Sequence, residues 1–242
     1  MKFAIAKEHK NFFQKQGMIE FEGFISSDQL ALFNQAIDQA LESRMDIPAE
    51  RLRLQSSENL FLQGRDLWRA NESLRKLVCQ PRLAEIASEL IEKKPLRLGY
   101  DQLFPARYQE KFSPSPQQRT YAQFLAQTTN LETISSLQGV ACGLMLCLGA
   151  AGNTVRESEP ALEGLDIFPS SPGQAIFFQP QAMANLEFLY AHPGHRFYLI
   201  VYAQASAYYQ LQPQDPHTHA LKHLGYVFND KLNDKLNPIV YR

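Results

Sequence analysis

The sequence predicts an α+β protein in which helices come first and pack on sheets that curl into a barrel or jelly roll. Three observations predict it. Apolar residues recur at helical spacing before residue 94, extended apolar runs dominate after residue 96, and neither half carries a glycine-rich phosphate loop or an internal repeat. The regular strand and helix alternation of a doubly wound sheet is missing. The 242 residues are read as a single domain, with a helical part over about 8–94, a β core over about 96–211 and a C-terminal tail over 212–242.

The elements follow in order. Glu8 to Gln16 reads as a helix broken by Gly17, and Met18 to Phe21 as a short extended stretch. Ser26 and Gln29 form a capping-box pattern that opens a helix with Leu30, Phe33, Ile37 and Leu41 on one face, ending near Arg44 ahead of Pro48. Glu58 to Gly64 resembles a protease-recognition sequence and is read as native. Asn71 to Val78 is another short helix; Pro81 suits the first turn of the next, which carries Leu83, Ile86, Ala87 and Leu90 and which Pro95 should stop. Leu96 to Phe104 alternates like a strand, and Pro105 to Ser135 is a long polar passage with few strand signals. Strands return over Ser136 to Leu148, over Gln174 to Phe178 after a Ser-Ser-Pro-Gly turn, over Leu186 to Tyr190 and over Phe197 to Tyr202.

Composition narrows the function classes. Apolar residues at 45% and charged residues at 20% are ordinary for a globular chain, and no apolar run reaches the length of a membrane span. A net charge of −1 lacks the basic excess that drives nonspecific nucleic-acid binding. Cys79, Cys142 and Cys147 match neither a disulfide framework nor a zinc knuckle, and the amino terminus lacks a signal-peptide apolar region, which places the protein in a reducing cytoplasm. Cys142 and Cys147, inside an apolar run, are expected to pack as small hydrophobes.

Several phrases, taken in order, resemble the phytanoyl-CoA dioxygenase family of non-haem iron/2-oxoglutarate oxygenases. They are FFQKQGMIEFEGFISSDQLALFNQAID, LRKLVCQPRLAEIASELI, PLRLGYDQLF, GVACGLMLCL, PGQAIFFQP and HRFYLIVYA, within a span of roughly residues 9–210. The resemblance implies a double-stranded β-helix, a cupin-like barrel with the N-terminal helices packed on one sheet. It also implies iron at the wider mouth, held by a His-X-Asp pair and a distal histidine.

The sequence does not supply those ligands. Of six histidines, none lies between His9 and His192. Where the family places His-X-Asp this chain has Gln117, Gln118 and Arg119, followed by Tyr121 in the family's pattern; where it places the distal histidine, the chain reads Gln181, Ala182, Met183, Ala184, Asn185. Fe(II) sites of this type favour imidazole nitrogen with one carboxylate, and a cation at Arg119 would repel a divalent metal. The site is therefore read as degenerate, with no metal and no cofactor expected. Arg196 stands where the family carries the basic residue that pairs with the distal carboxylate of 2-oxoglutarate. Either it retains an anion site, with hydroxyls from Tyr100 and Tyr198, or it closes a strand end and pairs with a nearby acid.

His219 and His223, at i and i+4 with His217 or Asp215 nearby, would chelate a metal if helical; solvated histidines beyond the barrel explain them with fewer assumptions. His192 and His195 flank Pro193-Gly194 in a turn. The primary expectation is a small-molecule-binding or interaction protein on the oxygenase fold, with a small carboxylate or a protein as partner. One alternative is an enzyme with histidine-free chemistry built from Arg119, Arg196, Tyr100 and a carboxylate such as Asp101. The other is a divalent-cation-responsive DNA-binding regulator, because RLAEIASELIEKK resembles the first half of a helix-turn-helix, although Pro95 and an extended segment follow it.

Overall fold

The computed structural model describes residues 4–106, 123–149, 167–191 and 194–242. Helix α1 (Lys7–Gln16) stops at Gly17, whose φ of 79° lets its amide reach back to the Phe13 carbonyl. Strand β1 (Met18–Phe21) follows, and α2 (Ser27–Met45) opens on the expected capping box. The Ser26 hydroxyl accepts from the Gln29 amide at 3.3 Å, and Gln29 Oε1 accepts from the Ser26 amide at 3.1 Å. Three short helices, α3 (Ala49–Leu52), α4 (Ser57–Gln63) and α5 (Glu72–Val78), wrap the sheet, with a 3₁₀ turn at Leu67–Arg69. Gly64 closes α4 against β2, where an added Cβ would lie 2.8 Å from that of Leu103, so the ENLFLQG segment is fitted into the packing.

Helix α6 (Pro81–Ile91) ends earlier than a proline stop requires. Glu92 adopts the left-handed conformation and donates its amide to the Ser88 carbonyl, so the cap and not Pro95 terminates the helix. Strand β2 (Leu96–Phe104) comes next, so no second helix follows α6 in helix-turn-helix fashion.

The remaining elements are β3 (Thr128–Thr129), α7 (Leu131–Ile134), β4 (Leu137–Gly149), β5 (Ala175–Phe178), β6 (Ala184–Asn185), α8 (Phe188–Ala191), β7 (Arg196–Tyr209) and β8 (Ile239–Tyr241). Among the described residues they form a six-stranded antiparallel sheet in the order β1-β5-β4-β7-β2-β8 and a two-stranded sheet β3-β6. This is a double-stranded β-helix with helices on one face. The expected strand over Leu186 to Tyr190 is not formed. Asn185 Oδ1 accepts from the Glu187 amide, Leu189 donates to the Leu186 carbonyl, and the chain turns into α8 with Leu186 and Leu189 both buried. The apolar pattern there reports a helical turn, not alternation.

Two apolar cores lie on either side of the main sheet. The outer one joins Phe33, Ile37 and Leu41 of α2 and Leu83, Ile86 and Leu90 of α6 to Leu98, Leu144, Phe177, Tyr198, Ile200 and Tyr202. The inner one fills the barrel with Tyr100, Phe104, Met145, Phe178, Phe197, Leu199 and Val201. A bulge between Leu98 and Tyr100 moves the inward positions of β2 by one residue. All nine residues of β2 are buried, because the strand is covered on both faces. Gly143 of β4 is forced by this packing, since a Cβ there would sit 2.3 Å from the Phe178 ring.

The segment after residue 211, expected to lie beyond the barrel, returns to it. Strand β8 pairs with β2, and the fully buried Asn237 donates to the Leu98 and Gly99 carbonyls at 3.1 and 2.7 Å, satisfying backbone groups released at the bulge. Arg97 returns a hydrogen bond to the Asn237 carbonyl at 2.7 Å.

Candidate functional site

The mouth of the barrel, where β2 leaves and β7 enters, is lined by rings. Phe61 lies 5.6 Å from Phe104 and 5.4 Å from Phe124, Phe168 packs 6.2 Å from Phe104 and 5.2 Å from Phe197, and Phe188 stacks on Phe168 at 5.2 Å. His195 stacks on Phe197 at 5.8 Å. These contacts follow from β7 turning Phe197 and Leu199 inward while Tyr198 and Ile200 face the helices.

The distal station of the implied iron site is described and can be tested. Ala184 is buried in the inner core, Met183 is exposed, and the Asn185 side chain caps the following turn through the Glu187 amide. A methyl and a committed amide are not iron ligands. Among the described residues no group of three or more His, Cys, Asp or Glu converges on a point that would hold a metal ion. The described part of the barrel does not fit an iron centre. Gln117, Gln118, Arg119 and Tyr121 of the other station, and His192, lie outside the described residues.

Arg196 and Tyr100 are not brought together. Arg196 points to the helix side of the sheet, where Nη1 donates to Asn34 Oδ1 at 2.9 Å and Nη2 pairs with Asp38 at 2.7 Å, both on α2. Tyr100 points into the barrel, and its ring is covered at 3.4 Å by the guanidinium of Arg65. Arg65 was not among the expected site residues, and only the fold brings it to Tyr100. Its Nη2 pairs with the buried carboxylate of Asp215 at 3.0 Å, and Asp215 also accepts from the amides of Ser136 (2.9 Å) and His217 (2.8 Å). Burial opposes the Arg65 cation, but Asp215, Tyr100 and Asp66 outweigh it and raise its pKa; burial also raises that of Tyr100.

The C-terminal histidines differ from expectation. Ala220–Leu224 is a 3₁₀ turn, not an α-helix, so His219 and His223 do not share a face, because i and i+4 fall apart at three residues per turn. Both are exposed. His217 is not a solvated surface residue: its ring packs 5.4 Å from that of Phe61, its Nε2 is buried without a partner among the described residues, and burial followed by the Arg65 charge lowers its pKa to about 3. The imidazole is neutral at physiological pH.

Asp101 lies on the helix side of β2, fully buried, and accepts from the amides of Leu67 at 2.7 Å and Trp68 at 3.0 Å. Burial and then Asp66 raise its pKa to about 7, and the Tyr198 hydroxyl lies beside it, short of hydrogen-bond geometry. The raised pKa has the value expected of a general base, yet the carboxyl is enclosed, away from both Tyr100 and Arg196. Burial also raises the thiols, Cys142 to about 12 and Cys79 and Cys147 to about 11, which removes them as nucleophiles near neutral pH.

No protein-family model matches the chain, and no curated protein does. Solved structures do resemble it. The non-haem α-ketoglutarate-dependent carbocyclase SnoK from nogalamycin biosynthesis superposes with a TM-score of 0.63 at 16% identity, over 97% of this chain and 96% of that one. The α-ketoglutarate-dependent epimerase SnoN of the same biosynthesis gives 0.62 at 15%, over 97% and 98%. EctD from S. alaskensis, solved with 2-oxoglutarate and 5-hydroxyectoine, gives 0.54 at 16%, over 86% and 79%. The likeness is one of fold: this chain has the architecture of the non-haem iron/2-oxoglutarate enzymes. Among the described residues no helix is long and apolar enough to cross a membrane.

Proposed function

We propose that this chain is a degenerate, phytanoyl-CoA-dioxygenase-like form of the fold, lacking the His-X-Asp and distal histidine set, and that it works in the cytoplasm as a small-molecule-binding or interaction protein. It does not carry out iron/2-oxoglutarate chemistry. One observation carries the reading: of the residues that the resemblance sets at the distal ligand station, Ala184 is buried in the inner core and the Asn185 side chain accepts from a turn amide. The absence of histidine from residues 10–191 supports it, since the polar passage where the family places His-X-Asp holds no imidazole at any position. The rings at the mouth are buried against one another, which supports a structural role for this end of the barrel. The partner is a small carboxylate or a protein; the near-neutral charge argues against nucleic acid.

Anaerobic calorimetric titration of the full chain with Fe(II), and a separate assay of 2-oxoglutarate consumption with Fe(II) in air-saturated buffer, test this. The expected result is no stoichiometric binding and no turnover. One equivalent of Fe(II) held within the barrel overturns the proposal.

A further inference from the structure

Outside the barrel, a cleft of about 460 Å³ lies between the end of α2, the turn that follows α4 and the C-terminal 3₁₀ turn. Its walls carry Arg44, Arg65, Arg69, His217, His219 and His223. The three guanidiniums are unequally partnered. Arg65 is paired with Asp215. Arg69 donates through Nη1 to the Leu236 carbonyl, holds Nε 3.7 Å from Asp66 Oδ1, and leaves Nη2 buried without an acceptor among the described residues. Arg44 donates only to the backbone carbonyls of Gln63, Arg65 and Asp66, and among the described residues no carboxylate lies within ion-pair distance of it.

Three cations therefore face two carboxylates, Asp66 and Asp215, around one hollow. Carbonyl dipoles stabilise the Arg44 cation but do not cancel its charge, and desolvated donors without acceptors are costly. The buried Nε2 of His217 is a polar atom without a partner among the described residues in the same wall, and the exposed imidazoles of His219, 6.1 Å from the Phe228 ring, and His223 line the cleft beside it. Leu62, Pro216 and Leu224 supply apolar rim for the rest of a ligand.

We propose that this cleft binds the oxyanion group of a small molecule, a phosphate or a carboxylate, with Arg44 and Arg69 supplying charge and His219 and His223 closing over it. Guanidinium forks match either oxyanion with charge-assisted hydrogen bonds, and the surplus cation gives the site its sign. The inference rests on reading the chain as a binding protein and names where and what it binds.

The test titrates ¹⁵N-labelled full chain with sodium phosphate or sodium succinate against sodium chloride at matched ionic strength and neutral pH. The side-chain signals of His219 and His223 are followed. Saturable shifts of both imidazoles in phosphate or succinate, absent in chloride, are expected, and the tighter of the two probes identifies the oxyanion. Because Arg44 also ties the turn over residues 63–66, the main variant is the H219A/H223A double substitution of exposed side chains. It should weaken binding about fivefold, with the melting temperature in chloride unchanged. R44Q, provided that it melts cooperatively, should weaken binding about tenfold or more. Shifts that do not saturate, shifts equal in chloride, or a double variant with full affinity overturn the site. Stoichiometric iron in the barrel would overturn the metal-free reading and leave a phosphate-binding cleft standing, so the two ideas fail separately.

Discussion

The two faces of the main sheet each hide a carboxylate, and they hold it by opposite means. On the helix side, Asp101 accepts two backbone amides and, among the described residues, has no cation at ion-pair distance; its pKa rises to about 7. On the barrel side, Asp215 accepts two backbone amides as well, but it is clamped by Arg65, which is itself sandwiched against Tyr100. The amide count is equal, but Asp101 is raised by burial and by the neighbouring Asp66, whereas Asp215 has the Arg65 guanidinium at 3.0 Å. Two amides cap a turn, whereas a buried ion pair ties the C-terminal segment to the barrel wall.

The largest expected effect comes from breaking the clamp. R65A leaves Asp215 buried without its cation and should cost about 3–5 kcal/mol in urea unfolding, with R65K intermediate because it keeps the charge but loses the planar cover on Tyr100. A loss below about 1 kcal/mol for R65A would mean that Asp215 leaves the wall with its segment, and that the comparison between the faces fails.

A subtler experiment uses pH. Asp101 has a folded pKa of about 7 against an ordinary value of 3.8, so its contribution favours the fold at low pH and is lost as pH rises through about 7. His217 has a folded pKa of about 3 against 6.5, so its contribution is present above 6.5 and is lost as pH falls toward 3. Between about pH 4 and 6.5 the two oppose one another. D101N should therefore lose stability on acidification more steeply than the parent, and H217F less steeply, in denaturant titrations across that range. Parallel pH profiles for the two variants would contradict the opposition.

The smallest effect is expected at Arg196. Its partner Asp38 is 45% exposed, so a double-mutant cycle over R196A and D38A should give a coupling of about 1 kcal/mol or less. A larger coupling would mean that this half-exposed pair ties β7 to α2 as a buried pair would.

Most of the secondary structure was legible because it is locally encoded. Ser26 with Gln29, Gly17, and the apolar runs of β2, β4 and β7 carry their own signals of cap, break and strand. Leu186 to Tyr190 misled because a short apolar run has no decisive period, and a side-chain cap by Asn185 decided it. The candidate site was far less legible. Arg196 sits at the expected start of its strand, yet the register of β7 turns it toward α2. Arg65 looks like any arginine after a helix until the fold brings residues 100 and 215 beside it.

The sequence by itself determined that the chain is α+β, where most of its helices and strands lie, and that no imidazole is present over residues 10–191 to ligate iron; composition and periodicity are local properties that need no partner. Only the tertiary structure decided which face each polar side chain meets. A one-residue bulge at Leu98–Tyr100 sets the parity of β2, and the pairing of distant segments places the Arg65, Tyr100 and Asp215 cluster and the cationic cleft beside it.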